Sequence, residues 1–219
     1  MTIELHQQQA EHLLRAAGVL PVVTVDSLDQ ARRLADALLA GGLRTIELTL
    51  RTPVAIDALA MLKRELPAIV IGAGTVLTRE QLRQSIDAGA DFIVTPGTTP
   101  VLADALAEAP LPVVPGAATP SELMALMARG FRVCKLFPAT AIGGLAMIKG
   151  LAGPLADLKL CPTGGITEQD AADYLKQPNV VCIGGSWMVA KDWLAAGAYD
   201  KITASAARTV ATIERARSA

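Results

Sequence analysis

The chain has 219 residues, of which 52% are hydrophobic, 19% charged and only 3% aromatic, so it can bury a large core of small and branched side chains and is not globally disordered. A formal net charge of −1 gives no electrostatic case for nucleic acid or an anionic membrane surface as partner. No apolar run reaches the roughly 18 residues of a membrane span. The polar start and the breaks at Arg15, Gly18 and Pro21 do not fit a signal peptide, and Cys134, Cys161 and Cys182 lack CxxC spacing. A cytoplasmic protein with buried, unpaired thiols is expected.

In chain order, Glu4–Ala17 reads as a helix, followed by a β-branched strand Val19–Val25. Ser27 then caps a helix Leu28–Ala40 that Gly41-Gly42 closes. Thr45–Leu50 is a second strand, and Pro53 opens the helix Val54–Glu65. Ala68–Ala73 is a third strand, with Thr78 capping Arg79–Ala88. Phe92–Thr95, then a helix from Pro100 to Glu108, forms the fourth unit; Pro112–Val114, then Pro120–Ala128, forms the fifth. Val133–Phe137 precedes a loop through Gly143-Gly144 and a helix near Leu145–Leu151. Lys159–Cys161 with Glu168–Lys176 comes seventh; Val180–Ile183 is the eighth strand, and Tyr199–Arg217 a closing helix.

Strands alternating with helices imply parallel pairing through right-handed crossovers. Eight such units predict one domain over residues 1–219: an α/β (β/α)8 TIM barrel with an extra N-terminal helix across its floor. The alternative is an open Rossmann-type sheet. It would draw on Gly72-Ala73-Gly74, but Leu77 stands where the third glycine of that fingerprint belongs.

Polar residues at strand positions carry the functional reading. Side chains alternate along a strand, so Glu47, Thr49 and Arg51 share one face while Ile46, Leu48 and Leu50 share the other. The apolar set has helices to cover, which turns Glu47 into the barrel, where an unpaired carboxylate is costly. In the sixth strand Val133, Lys135 and Phe137 share a face, and Lys135 stands near the C-terminal end, the catalytic face of such barrels. Lys159 begins its strand, where its stem can reach solvent. A purely structural Glu47–Lys135 ion pair is the rival reading, but buried pairs add little net stability. Gly164-Gly165 after the seventh strand and Gly184-Gly185-Ser186 after the eighth fit a phosphate site, with backbone N–H groups and helix N-termini facing the anion.

Five motifs together resemble the 2-keto-3-deoxy-6-phosphogluconate (KDPG) aldolase family, also described as 4-hydroxy-2-oxoglutarate aldolase. They are Glu47-Leu48-Thr49-Leu50-Arg51-Thr52, Gly72-Ala73-Gly74-Thr75-Val76-Leu77, Lys135-Leu136-Phe137-Pro138-Ala139, Cys161-Pro162-Thr163-Gly164-Gly165-Ile166 and Cys182-Ile183-Gly184-Gly185-Ser186-Trp187. The likeness runs along essentially the whole chain. It departs at Leu136, where the family more often has an aromatic, on the outward face of the strand. The resemblance implies Lys135 as Schiff-base lysine, Glu47 as proton-transfer residue, and Arg51 and Thr75 as holders of the substrate carboxylate. Phe137 would pack on the pyruvyl group, with Thr163 a nearby hydrogen-bonding group; Pro96, Gly164, Gly165, Gly184, Gly185 and Ser186 complete the expected substrate-binding set. It further implies a homotrimer without metal or cofactor, acting on a phosphorylated keto acid in Entner–Doudoroff sugar-acid breakdown.

That chemistry suits these residues. Cleaving the C3–C4 bond of a 2-keto acid leaves an electron pair that an imine at C2 can accept, and Glu47 can carry the protons. Three alternatives stay open. A galactonate-derived aldolase would prefer the C4 epimer. A metal-dependent aldolase would need ligands that the two histidines, His6 and His12, are not spaced to supply; these are expected at the surface or a subunit contact. A non-catalytic phosphate-binding barrel would leave Lys135 without a purpose.

Overall fold

A computed structural model describes residues 2–217. The strands are β1 Val19–Val23, β2 Thr45–Thr49, β3 Val70–Gly74, β4 Phe92–Val94, β5 Val113–Val114, β6 Gly116–Ala117, β7 Val133–Leu136, β8 Lys159–Pro162 and β9 Ile183–Gly185. The helices are α1 Ile3–Ala17, α2 Leu28–Ala40, α3 Ala55–Glu65, α4 Arg79–Asp87, α5 Pro100–Ala107, α6 Pro120–Met127, α7 Gly144–Ala152, α8 Ala171–Leu175, α9 Lys191–Ala195 and α10 Tyr199–Arg217. A 3-10 turn covers Trp187–Val189.

All paired strands run parallel, in the orders β5-β4-β3-β2-β1-β9 and β6-β7-β8. Pro115 separates β5 from β6. It has no N–H for a ladder, but its carbonyl accepts from Lys135 N at 2.9 Å. On the far side, isolated parallel bridges join Leu160 to Val180 and Thr163 to Gly184. The result is an α/β domain with a curled parallel sheet.

The helix starts follow from local chemistry. Ser27 Oγ accepts from Gln30 N at 3.1 Å, and Gln30 Oε1 accepts in return from Asp26 N. Thr78 with Gln81 and Thr119 with Glu122 repeat this reciprocal cap at α4 and α6. Backbone bonds to the Glu122 carboxylate, led by Ala118 N, hold its carboxyl below the ordinary glutamate range.

Outward strand residues such as Ile46, Leu48, Ile71, Ile93, Cys134 and Leu136 pack under the helices. Leu20, Phe92, Val94, Val114, Val133, Cys161, Val181 and Cys182 form a separate inner cluster with Ala10 and Leu14 of α1. The N-terminal helix therefore covers the end of the sheet opposite the loops that follow each strand. Gln7 anchors it there: its Nε2 donates to Val113 O at 2.8 Å and its Oε1 accepts from Arg132 N and Val133 N, both at 2.9 Å.

Several expectations need correction. The fifth strand is two short pieces, because Pro115 interrupts it. The eighth begins at Ile183 rather than Val180, and the α8 helix begins at Ala171 rather than Glu168. The Thr167 hydroxyl holds the preceding residues in a turn, donating to Asp170 Oδ2 and accepting from Asp170 N. His6 is not a surface residue but 5% exposed, beside Gln7 and Ala10 on the inward face of α1; His12 is exposed. The thiols are free and buried. Burial pushes those of Cys134 and Cys182 well above the usual range, with a hydrogen bond to Cys161 adding to the effect at Cys182, so they pack as small apolar groups.

Replacing Gln7 by Leu strips three backbone groups of their partner at the strand starts. The expected loss is about 2–4 kcal/mol, measurable by urea unfolding. Stability equal to that of the parent would show that α1 is not anchored by these bonds.

Candidate active site

The site residues run from the middle of their strands, as Glu47 in β2, to the loops beyond the C-terminal ends. The alternation of β2 turns Glu47 and Thr49 inward, and that of β7 turns Lys135 inward. Lys135 Nζ donates to Glu47 Oε1 at 2.9 Å and to Oε2 at 3.3 Å, forming a salt bridge between side chains 4% and 1% exposed. Next to it on β3, Gly74 leaves the space the carboxylate needs: a Cβ there would run into Glu47 Oε1 and Cγ. The ammonium also lies 5.4 Å from the centre of the Phe137 ring, within cation–π range.

Above this pair opens a cavity of about 330 Å³. Its wall includes Val22 and Thr24 from the β1 end, Arg51 beyond β2, Phe137 beyond β7, Thr163, Gly164 and Gly165 beyond β8, and Gly184, Gly185 and Ser186 at and after β9. Lys135 and Glu47 are not wall residues; they lie one layer deeper, and Phe137 joins the two layers.

Arg51 is exposed, and its Nε donates to Thr75 Oγ1 at 3.1 Å. Thr75 has φ of 60°, a left-handed conformation costly for a β-branched residue. The strain aims the Thr75 hydroxyl at the guanidinium, and backbone strain of this kind gathers at functional sites. Arg51 lines the cavity, and none of its lining residues is Asp or Glu.

At the other end, Gly164 and Gly165 have φ of 101° and 80°, a conformation that favours glycine. Side chains at Gly184 and Gly185 would meet the Thr163 hydroxyl and the Trp187 ring respectively. Trp187 Nε1 donates to Thr209 Oγ1 at 3.1 Å, so α10 supports this loop from behind. No long helix starts here: the loop after β9 enters a three-residue 3-10 turn, and α8 starts six residues beyond Gly165. The expected helix N-termini are therefore not at this end, and what lines it are the glycine loops.

The geometry thus brings together Lys135 with Glu47, Arg51 with Thr75, and Phe137, Thr163, Gly164, Gly165, Gly184, Gly185 and Ser186 around one cavity. Pro96 is not in its wall. It follows β4, and its backbone lies against Gly116, which is in register with Lys135. Thr24, Lys191 and Leu194 line the cavity but were not foreseen. Thr24 has the inward parity of β1, a signal available in the sequence; Lys191 begins α9, a helix absent from the sequence reading. Among the described residues no group of three or more His, Cys, Asp or Glu is arranged to hold a metal.

A charged amine buried against a carboxylate at the loop end of a curled parallel sheet, below a cavity rimmed by two glycine-rich loops, defines a Schiff-base type of lyase site. The family model for KDPG and KHG aldolase matches residues 10–205, and the chain belongs to that family. It is 45% identical over 202 residues to the 2-dehydro-3-deoxy-phosphogluconate aldolase of Dickeya dadantii, covering 92% of this chain and 95% of that protein. Among solved structures, it is similar to the KDPG aldolase of Legionella pneumophila, with pyruvate captured as a covalent carbinolamine intermediate. The TM-score is 0.89 at 41% identity, covering 92% of this chain and 98% of that one. The Zymomonas mobilis 2-keto-3-deoxy-6-phosphogluconate aldolase with 3-phosphoglycerate gives a TM-score of 0.87 at 38% identity, over 93% and 95% of the two chains.

Gly74→Ala forces the Glu47 carboxylate away from Lys135, because the new methyl needs the space the carboxylate holds. Cleavage of a 2-keto-3-deoxy sugar acid should fall at least tenfold, with a stability loss of about 1–3 kcal/mol. Unchanged turnover would mean that the pair's spacing is not critical.

Proposed function

We propose that this protein is a class I aldolase. It cleaves 2-dehydro-3-deoxy-6-phosphogluconate to pyruvate and D-glyceraldehyde 3-phosphate, and 4-hydroxy-2-oxoglutarate to pyruvate and glyoxylate. The observation that carries this reading is the buried Lys135 Nζ held 2.9 Å from Glu47 Oε1. The pyruvate carbinolamine captured in the Legionella relative and the 3-phosphoglycerate of the Zymomonas structure support a keto acid and a phosphorylated ligand for this chain.

In this mechanism Glu47 takes a proton from Lys135, and the neutral amine adds to the C2 carbonyl of the substrate. Glu47 then returns a proton to the carbinolamine oxygen, which leaves as water and gives the protonated imine. Removal of the C4 hydroxyl proton by Glu47 lets the C3–C4 bond break, its electron pair passing into the imine to form an enamine as the aldehyde departs. Protonation at C3 and hydrolysis release pyruvate and restore the lysine. One acid–base group so used contributes about 10²–10⁴-fold. Arg51, oriented by Thr75, takes the substrate carboxylate as a fork-shaped donor, and Phe137 packs on the pyruvyl group. Thr163 and the Gly164-Gly165 and Gly184-Gly185-Ser186 loops hold the phosphate end, with Lys191 adding a cation there. Fixing both ends leaves the scissile bond between them.

The wider reading is a single domain closed as a (β/α)8 barrel with α1 across its floor, needing no metal or cofactor, assembled as a homotrimer in the cytoplasm. Bonds from Lys135 N to Pro115 O and from Val181 N to Leu160 O, together with the Thr163–Gly184 bridge, support closure of the ring. Among the described residues no helix is long and apolar enough to cross a membrane.

Lactate-dehydrogenase-coupled pyruvate release tests the reading: both substrates should give pyruvate in the presence of EDTA, and Lys135→Ala should abolish it. Turnover persisting in that variant, or lost to EDTA and restored by metal, would overturn the mechanism. Lys191→Ala should raise KM for the phosphorylated substrate roughly 3–10-fold, with little change for 4-hydroxy-2-oxoglutarate. Equal effects on both substrates would remove Lys191 from the phosphate end.

A further inference from the structure

Just beyond the end of β1 stands a hydroxyl, that of Thr24, paired with a second hydroxyl on β2. Leu20 belongs to the inner cluster, while Val19, Val23 and Val25 pack in the outer layer. Strand alternation therefore turns Val22 and Thr24 toward the interior, and both line the cavity. Thr24 Oγ1 lies 2.7 Å from Thr49 Oγ1, while Thr49 Oγ1 donates to the carbonyl of Val23 at 3.0 Å. A threonine hydroxyl has a single proton. The arrangement that makes both bonds at once sends the Thr49 proton to the carbonyl and has Thr24 donate to Thr49. What Thr24 then offers the cavity is acceptor lone pairs only.

An acceptor-only group discriminates sharply among the parts of a ligand. A substrate carboxylate, phosphate dianion or keto oxygen has no proton to give it. The pyruvate-derived carbons of a 2-keto-3-deoxy acid have no hydroxyl at all. The donors are the hydroxyls on the aldehyde-derived half, which lies between the carboxylate held at Arg51 and the phosphate held at the glycine loops. We infer that Thr24, with its proton fixed by Thr49, is a specificity-determining residue that accepts a hydrogen bond from a hydroxyl on the aldehyde-derived half of the substrate. This rests on the aldolase reading and assigns a task to a residue that neither the Schiff-base chemistry nor the phosphate loops require.

The test separates the two halves of the substrate. Thr24→Val keeps the shape and removes the acceptor, and Thr24→Ser keeps the acceptor. Each is compared with the parent in cleavage of 2-dehydro-3-deoxy-6-phosphogluconate and in deuterium exchange into the methyl group of pyruvate, a ligand with no hydroxyl on its pyruvyl carbons. Thr24→Val should lower kcat/KM for cleavage roughly 5–10-fold, the loss of one neutral hydrogen bond, while its pyruvate exchange stays within about twofold of the parent. Thr24→Ser should recover most of the cleavage. Cleavage unaffected in Thr24→Val, cleavage and exchange falling together, or Ser as impaired as Val would each overturn the assignment. If the parent protein does not exchange pyruvate protons, the aldolase reading itself fails, and this inference with it.

Discussion

A lysine and a glutamate, almost wholly removed from water, hold each other at 2.9 Å inside a parallel sheet, and much of the surrounding sequence makes sense as accommodation of that contact. Desolvating two charges costs several kcal/mol each, and their attraction offsets this only when the geometry is good. Here Lys135 reaches both carboxylate oxygens. Gly74 gives up its side chain to leave room for the carboxylate, and the Phe137 ring lies within reach of the ammonium. An apolar pair of similar volume would serve stability as well. The charges are better understood as reactants than as braces.

The same constraint explains how the two ends of the site differ. At one end a permanently charged side chain, Arg51, is steered by Thr75, whose backbone is left-handed. At the other, where we propose the phosphate binds, paired glycines line the cavity, with the Trp187 ring beneath Gly185 and tied to α10 through Thr209. Between them the wall is mostly uncharged, and the Thr24–Thr49 hydroxyl pair adds direction without adding charge. Charge at the two ends and neutral contacts between them suit a ligand with two anionic ends and an uncharged reacting centre.

Much of this was legible in the sequence because period-two alternation is unforgiving: once Ile46, Leu48, Cys134 and Leu136 face the helices, Glu47 and Lys135 have nowhere else to point. Helix starts at Ser27 and Thr78 were equally readable, since capping depends on residues three apart. Features set by tertiary contact were not. Pro115 divides the fifth strand while still accepting a bond from Lys135 N. The short α9 helix is too brief for a periodic pattern, which hid Lys191. The inward placement of Thr24 follows from parity, but its pairing with Thr49, and that of Thr49 with the Val23 carbonyl, are contacts between strands that only coordinates give. Pro96, also expected at the site, has its backbone against Gly116 and, like Glu47 and Lys135, is not in the cavity wall.

The most direct test of the central claim is covalent. Treating the protein with pyruvate and borohydride, then mapping the modified peptide by mass spectrometry, should give irreversible inactivation with one reduced pyruvyl group on Lys135. Inactivation without that adduct, or an adduct on Lys159 or Lys191 instead, would contradict the assignment of the buried amine as the nucleophile.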